Sequence, residues 1–241
     1  NSELDIAGVS SAIEYSGIAT GTSPTANLVA DTGNNTFGLT GNTTQFTIDG
    51  ATFDGFTSVD AGSAGTVNGT ASQDLFTIKG NQSVEANGTT FNKVTTVDAG
   101  EDATDTVTGI ADQAWTIERD LFAINGFSGS GMTFIGTEKA NSLSGGSVTG
   151  TDLDDSFETT GIANQIVLSD YTFDGITTVD ALDGSFGGDT LATNNSVGES
   201  FEITADDDII GNGITFSNFE EMIGESNDTL VVPGSQLTYS L

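Results

Sequence analysis

The sequence predicts an all-β protein, a right-handed parallel β-solenoid (β-helix) built from six degenerate repeats of about 40 residues. Three observations predict this fold: strand-forming residues between turn-forming ones, few helix-forming runs, and an internal repeat. The chain has 241 residues, including 32 Gly, 15 Phe and only 2 Pro. Short runs of Thr, Val, Ile and Phe between Gly, Asn and Asp are typical of many short strands.

The first marker of the repeat is an aromatic residue in phrases such as "TFDGFTSVD" and "YTFDGITTVD". Successive copies are 38, 43, 39 and 43 residues apart, and a further step of 38 back from Phe53 reaches Tyr15 in a degenerate first copy. We expect these aromatic rings to stack inside the solenoid, one above the next, in a single line. The markers are Phe53, Phe91, Phe134, Phe173 and Phe216.

Two further markers recur in the same order. An apolar-polar-apolar triplet, the alternation of a half-buried strand, begins at Leu4, Phe37, Phe76, Phe122, Phe157 and Phe201. A phrase of the "DTVTG" type begins at Asp105, Asp155, Asp189 and Asp228. The third copy also carries an insertion, "ADQAWTIERDL", which holds the only Trp, Trp115, and the only Arg, Arg119.

Other repeat architectures fit these markers less well. Propeller blades have longer strands than these, and separate sandwich domains need about 100 residues each. A parallel solenoid needs only short strands and tight corners, where Asn, Gly and Asp are favoured. We therefore predict a single solenoid domain over residues 1–241, with one large coil or two coils of about 20 residues per repeat.

Composition excludes several classes of function. Lys plus Arg number 4 against 35 Asp plus Glu, which gives a formal charge of −31. Such a surface repels nucleic acid and anionic lipid and attracts cations. The chain has no His and no Cys, so the commonest general base, disulfides and thiolate zinc sites are excluded. No apolar run is long enough to span a bilayer, which predicts no membrane insertion.

The repeated corners place carboxylates beside glycines, in two ways that the residues alone leave open. Asp and Asn in such corners cap the backbone as Asx turns, whereas several converging carboxylates bind a hard cation such as calcium. The densest cluster has four carboxylates within residues 98–105. The candidate metal ligands are Asp98, Glu101, Asp102, Asp105, Asp155, Asp180, Asp183, Asp189 and Asp228.

Two family resemblances bear on these corners. "GSFGGDTL", residues 184–191, resembles the glycine-rich nonapeptide of RTX proteins, and "GEDATDTV" and "GTDLDDSF" match it in part. This resemblance implies calcium held at the turns between stacked coils. The longer pattern, from "TF" through "VDAG" to "DTVTG", is similar to repeat regions of very large secreted bacterial surface proteins of the filamentous haemagglutinin-like type.

That second resemblance implies an extracellular or cell-surface protein with a structural or adhesive role. We expect it to self-associate into a filament, surface layer or matrix fibre, with cell-surface carbohydrate as a further candidate partner. The alternating "QLTYSL" predicts a last strand that pairs outside its own unit, because exposed strand edges template further pairing. The negative charge predicts that assembly strengthens with salt or divalent ions.

The alternative function is a carbohydrate-active enzyme or carbohydrate-binding module on the same fold. Paired acids suit glycoside hydrolysis, and Arg119, beside Glu118 and Asp120, is the most enzyme-like place in the sequence. Catalytic acids occur once in a chain, however, whereas these carboxylate clusters belong to repeats. We therefore expect no enzymatic activity and name no catalytic residue.

Overall fold

The structure is a computed structural model that describes residues 3–5, 27–30, 33–119, 124–182, 188–193, 198–204, 208–232 and 238–240. Stacked parallel coils form a β-solenoid of about six turns, with no helix among the described residues. The predicted fold class is confirmed. The markers Tyr15 and Phe122 lie outside the described residues.

The chain comprises two compact units, Asn1–Gly109 with Ser128–Thr137, and Ile110–Phe127 with Glu138–Leu241. A single domain over residues 1–241 stays a prediction. The strands of unit 1 are β1 (Glu3–Asp5), β2 (Asn27–Val29), β3 (Thr36–Leu39), β4 (Gln45–Ile48), β5 (Ala51–Asp54), β6 (Ser58–Asn68), β7 (Leu75–Gly80), β8 (Ser83–Ala86), β9 (Thr89–Asp98), β10 (Thr106–Thr108) and β13 (Met132–Ile135).

Unit 1 has two ladders of paired strands because its two longest strands, β6 and β9, bend. Their pairing shifts register between Asp60 and Gly65, where β6 has more residues than β9. Extra residues on one strand bend it. Ladder A joins β1, β2, the first halves of β6 and β9, β8, β7 and β10. Ladder B joins β5, β4, β3, the second halves of β6 and β9, and β13.

Unit 2 repeats this arrangement, with β14 and β17 as the bent strands. Its strands are β11 (Ala114–Arg119), β14 (Lys139–Thr149), β15 (Ser156–Thr159), β16 (Gln165–Leu168), β17 (Tyr171–Asp180), β18 (Thr190–Thr193), β19 (Ser200–Ile203), β20 (Ile209–Gly211), β21 (Ile214–Ser217), β22 (Glu221–Ile223), β23 (Thr229–Val231) and β24 (Thr238–Ser240). β12 (Ile124–Gly129) contains the residues at which the chain passes from unit 2 to unit 1.

In unit 2, ladder A joins the first halves of β14 and β17, then β16, β15, β18 and β22. Ladder B joins β11, the second halves of β14 and β17, β21, β20, β19, β23 and β24. The last strand, β24, therefore pairs antiparallel with β23 of its own unit. This pairing uses one edge of β24, and pairing outside the unit stays a prediction.

Four of the repeats also contribute an antiparallel three-stranded meander, which the sequence did not predict. In unit 1, β3–β4–β5 belongs to ladder B, whereas the next meander, β7–β8–β9, belongs to ladder A. In unit 2, β15–β16–β17 belongs to ladder A and β19–β20–β21 to ladder B. Within each unit, successive repeats thus place their meanders on alternate ladders.

The core lies between the two ladders of each unit. In unit 1 the Phe91 ring of ladder A lies 5.5 Å from the Phe37 ring and 5.4 Å from the Phe46 ring, both of ladder B. In unit 2 the Phe127 and Phe173 rings are 5.4 Å apart. Edge-on and tilted aromatic contacts of this kind stabilise a core beyond area burial alone.

Parallel registers line up buried side chains from successive coils, but not the aromatic markers with one another. One line in unit 1 consists of Phe37, Val67, Val97 and Phe134, and one in unit 2 of Trp115, Val148, Val179 and Phe216. All eight side chains are almost completely buried. Each line begins and ends with an aromatic residue and has valine between.

The prediction that the markers stack in one line is therefore wrong. Phe91 lies opposite Val59 rather than Phe53, and Phe134 lies opposite Val97. The coil from Val59 to Phe91 is 32 residues long, six fewer than the 38 between the markers Phe53 and Phe91. Those six residues, 54–59, lead the chain from β5 on ladder B to the first half of β6 on ladder A. A coil is thus somewhat shorter than a repeat, and about six turns for six repeats agree with one large coil per repeat rather than with two coils of about 20 residues.

Candidate functional site

The repeated corners contain buried carboxylates, each two positions before an apolar residue of the strand that follows. Asp105 is 0 % exposed and Asp228 is 1 % exposed, although both are charged residue types. Burying a carboxylate is costly unless hydrogen-bond donors surround it. The carboxylate and core pairs are Asp74 with Phe76, Asp105 with Val107, Asp155 with Phe157, Asp189 with Leu191 and Glu199 with Phe201. Asp228 has the same spacing from Leu230, which is half-buried.

Two of these corners have the same local structure and the sequence Gly-Thr-x-x-x-Asp. In unit 1, Oδ2 of Asp74 accepts hydrogen bonds from the Thr70 backbone N–H at 2.5 Å and from the Thr70 hydroxyl at 3.0 Å. In unit 2, Oδ2 of Asp155 accepts the same two bonds from Thr151 at 2.6 and 3.0 Å. The aspartate thus closes its own loop, as Asx and N-cap residues do.

The preceding glycine is required for this close packing. The backbone N–H of Gly69 donates to the Asp98 carbonyl of the next coil at 2.7 Å. A Cβ atom at Gly69 would overlap the carbonyl oxygen of Ala99. Gly150 occupies the equivalent place in unit 2, where its N–H donates to the Asp180 carbonyl at 2.8 Å.

The carboxylates also link one coil to the next. The backbone N–H of four of these buried acids donates to a carboxylate oxygen of an acid in the following coil, over 2.6–2.8 Å. Charge-assisted bonds of this kind are stronger than neutral ones. The donor and acceptor pairs are Asp74 to Asp105, Asp155 to Asp189, Asp189 to Glu220, and Glu199 to Asp228.

The surroundings of these acids shift their pKa values in opposite directions. Burial raises the pKa of Asp189 to about 6, the negative charges of Glu220, Asp155 and Asp154 also raise it, and the bond from the Asp155 N–H acts against them. At Asp228, burial acts to raise the pKa, but hydrogen bonds from Thr193, Glu199 and Glu225 outweigh it. The pKa of Asp228 therefore lies below its ordinary value.

In the densest predicted cluster, residues 98–105, the Asp98 and Asp102 carboxylates accept hydrogen bonds within their own turns. Oδ1 of Asp98 accepts the Gly100 N–H at 3.3 Å, and Oδ1 of Asp102 accepts the N–H and hydroxyl of Thr104. Glu101 is exposed, and Asp105 is buried and points to the neighbouring coil. Within the described residues, no group of three or more acids is placed to hold a metal ion.

The other candidate ligands are also spread over separate corners. Oδ1 of Asp180 accepts the Leu182 N–H at 3.1 Å and the Asn218 side-chain amide at 2.7 Å. Asp155, Asp189 and Asp228 cap the corners described above, and Asp183 lies outside the described residues. Eight of the nine predicted ligands are thus described, and seven of these accept a backbone or side-chain hydrogen bond.

Three acids of this network were not predicted: Asp74, Glu199 and Glu220. The "DT" phrase does not find them, since Leu75, Ser200 and Glu221 follow them. A better signal is a carboxylate directly before a strand whose second residue is apolar. That spacing is present in the sequence at all three positions.

The only Arg and the only Trp both donate hydrogen bonds within unit 2. Nη1 of Arg119 donates to the Asp154 carbonyl at 2.7 Å and to Oδ1 of Asp155 at 3.0 Å. The indole N–H of Trp115 donates to the Ser142 hydroxyl at 2.9 Å, and the ring is fully buried. Trp115 is therefore a core residue.

The fold and its corners define a class, a parallel β-solenoid with carboxylate-capped corners. No protein-family model matches the chain, and neither a curated protein nor a solved structure shows significant similarity to it. Among the described residues, no helix has the length and apolar character needed to cross a membrane. The resemblances to haemagglutinin-like and RTX repeats stay predictions.

Proposed function

We propose that this chain is a structural and adhesive scaffold of an extracellular or cell-surface protein. One observation carries the proposal: the corner carboxylates are repeated from coil to coil and are used to hold the backbone. Asp74 and Asp155 each close a loop and receive the same bonds. Residues used in this way stabilise a repeating structure, whereas a catalytic acid must be available to a substrate.

The charge distribution supports a surface that interacts through water and cations. All four basic residues are engaged in ion pairs with carboxylates: Lys79 with Glu85, Lys93 with Asp60, Lys139 with Asp174 and Arg119 with Asp155. The remaining carboxylates give the formal charge of −31. Such a charge keeps copies apart at low ionic strength and allows contact when salt screens it.

Self-association into filaments or layers is the form of scaffold that we propose. Sedimentation velocity and light scattering should show larger species as sodium chloride rises, because screening shortens the repulsion between copies. Calcium chloride at the same ionic strength separates general screening from a specific effect of calcium. A monodisperse monomer at high protein concentration in both salts would contradict self-association.

Calcium binding stays an expectation, and the scaffold function does not depend on it. The acids do not form an assembled site in the described residues, so binding would require the carboxylates of residues 98–105 to rearrange. Calcium needs several oxygen ligands at once. Melting with calcium and with a chelator tests this expectation directly.

The alternative carbohydrate function gains no support from exposed aromatic rings. The most exposed large apolar side chains of the described residues are aliphatic, among them Leu75 and Leu143, whereas Trp115 is buried. A flat sugar-stacking platform is therefore not part of the described surface.

A further inference from the structure

Two rows of corner acids in unit 2 differ in how well hydrogen-bond donors surround them. The row on ladder A consists of Asp155, Asp189 and Glu220, which are linked from coil to coil. The row on ladder B consists of Glu199 and Asp228. The difference between the two rows indicates which part of unit 2 responds to pH.

The ladder B row has donors for its carboxylate oxygens. Oδ2 of Asp228 accepts the Thr193 hydroxyl at 2.6 Å and the Glu225 N–H at 2.7 Å. Its Oδ1 accepts the Glu199 N–H at 2.7 Å. Hydrogen bonds to a carboxylate favour its ionised form, which agrees with the lowered pKa of Asp228. This row therefore keeps its charge without loss of stability at neutral pH.

The ladder A row has fewer donors and more negative charge. Oδ1 of Asp189 accepts the Asp155 N–H at 2.6 Å, and burial together with the facing carboxylates of Glu220, Asp155 and Asp154 raises the pKa of Asp189 to about 6. The only arginine, Arg119, pairs with Asp155 rather than with Asp189. The three lysines pair with acids outside this row. No basic side chain therefore offsets the charge of Asp189.

Asp189 also holds β22, the last strand of ladder A that the structure describes. Its N–H donates to Oε2 of Glu220 at 2.8 Å, and its carbonyl accepts the N–H groups of Glu220 and Glu221 at 3.1 and 3.2 Å. Phe219, just before β22, packs against two core rings, whereas Ile223 within β22 is 50 % exposed. A strand that buries so little opens locally more readily than the core does.

We propose that β22 is a pH-dependent edge strand, which stays on β18 in mildly acidic solution and opens more often at neutral pH. In the closed state the charge of Asp189 is buried beside three other carboxylates. Opening of β22 lets water reach this charge, so ionisation favours the open state. The freed edge of β18 is then a template for a further strand. The proposal does not depend on the scaffold function, because the opening takes place within one copy.

The sign of the pH effect follows from the binding of one proton. A carboxyl whose pKa is raised in the closed state stabilises that state fully below its ordinary pKa of 3.8, and this stabilisation is lost as pH rises to about 6. Each unit of pKa difference corresponds to a tenfold change in the opening equilibrium. Opening should therefore increase by about tenfold or more between about pH 4.5 and about pH 7.5.

Amide hydrogen exchange of the full chain, followed by NMR, measures this opening. Protection of the Glu220 and Glu221 amides, corrected for the intrinsic pH dependence of exchange, should fall by about tenfold or more over this pH range. The Thr229 amide, which donates to the Glu199 carbonyl at 2.9 Å, is the internal control from the ladder B row. Its protection should change much less.

Two variants separate the effect of Asp189 from a general loss of charge. Asp189→Asn should keep the β22 amides protected at neutral pH and remove most of their pH dependence. Glu202→Gln removes one exposed negative charge on β19 and should leave that dependence unchanged.

Three results would each overturn the proposal. The first is protection at Glu220 and Glu221 that changes with pH no more than protection at Thr229; this comparison uses the parent chain alone, so it does not require a variant to fold. The second is an Asp189→Asn variant with the pH dependence of the parent. The third is loss of the pH dependence in Glu202→Gln.

Discussion

Asp189→Asn should stabilise the protein at neutral pH, although it changes a buried residue in the repeated network. Asp189 is 1 % exposed, and the two residues that it is hydrogen-bonded to in adjacent coils, Asp155 and Glu220, are also acids. Asparagine keeps the acceptor oxygen for the Asp155 N–H and removes the buried charge. The sign of its effect therefore reports whether the charge or the hydrogen bond dominates.

The magnitude follows from the pKa of about 6 in the folded chain, against an ordinary value of 3.8. A raised folded pKa means that the native state binds more protons than the unfolded state between these two values, so stability falls as pH rises through this window. The shift of about two units corresponds to about 3 kcal/mol above pH 6. Losing a charge-assisted bond offsets about 1 kcal/mol or more, so we expect a net gain of about 1–2 kcal/mol.

Thermal melting at two pH values measures this effect. At about pH 7.5 the Tm of Asp189→Asn should exceed that of the parent by about 2–8 °C, and at about pH 4.5 the difference should nearly vanish. Acid also relieves the general repulsion of the chain, so only the difference between variant and parent counts. Asp228→Asn is the matched control, since the pKa of Asp228 is lowered and the variant should be less stable at neutral pH. Equal destabilisation by both variants would refute the reasoning.

Two further substitution and ligand tests follow from the corners. Gly69→Ala should lower the stability measured by thermal melting by about 1–3 kcal/mol, because the new Cβ overlaps a backbone carbonyl. Gly80→Ala is the control, since a Cβ there meets no atom within 4 Å. Equal Tm values for the two variants would contradict the packing argument. If the corner at residues 98–105 binds calcium, the Tm in millimolar calcium should exceed the Tm in a chelator, and Asp102→Asn should abolish the difference. Identical melting of the parent in both solutions would contradict calcium binding and leave only the turn-capping role.

The sequence predicts the class of the fold well because the class depends on spacing and composition. Alternating apolar residues, Gly and Asn corners and a recurring phrase all indicate short stacked strands. The register is a different matter. Phe53, Val59 and Val67 are all apolar residues with polar neighbours, and each one satisfies a core position. Which of them lies over Phe91 depends on the number of residues in each bend between the ladders. The apolar pattern does not specify that number.

The sequence predicts most of the corner acids, but it does not distinguish a calcium-binding role from a backbone-capping role. Asp105, Asp155, Asp189 and Asp228 stand out in the sequence because they recur, and they recur because each coil needs a corner cap. Calcium turns and backbone caps both place an aspartate beside a glycine, so the phrase alone does not separate them. The distinction lies in burial and in the donor that each oxygen meets. Arg119 pairs with Asp155, 36 positions along the chain, which local sequence cannot indicate.

Disulfide trapping tests the coil register most directly, because the chain has no cysteine of its own. Neighbouring strands bring paired residues within disulfide reach. Ser58 on β6 pairs with Thr90 on β9, so Ser58→Cys with Thr90→Cys should cross-link under mild oxidation without loss of folded structure. Thr52→Cys with Thr90→Cys should not, although this pair would be adjacent if Phe53 lay over Phe91. Cross-linking of the second pair and not the first would contradict the alternating ladders.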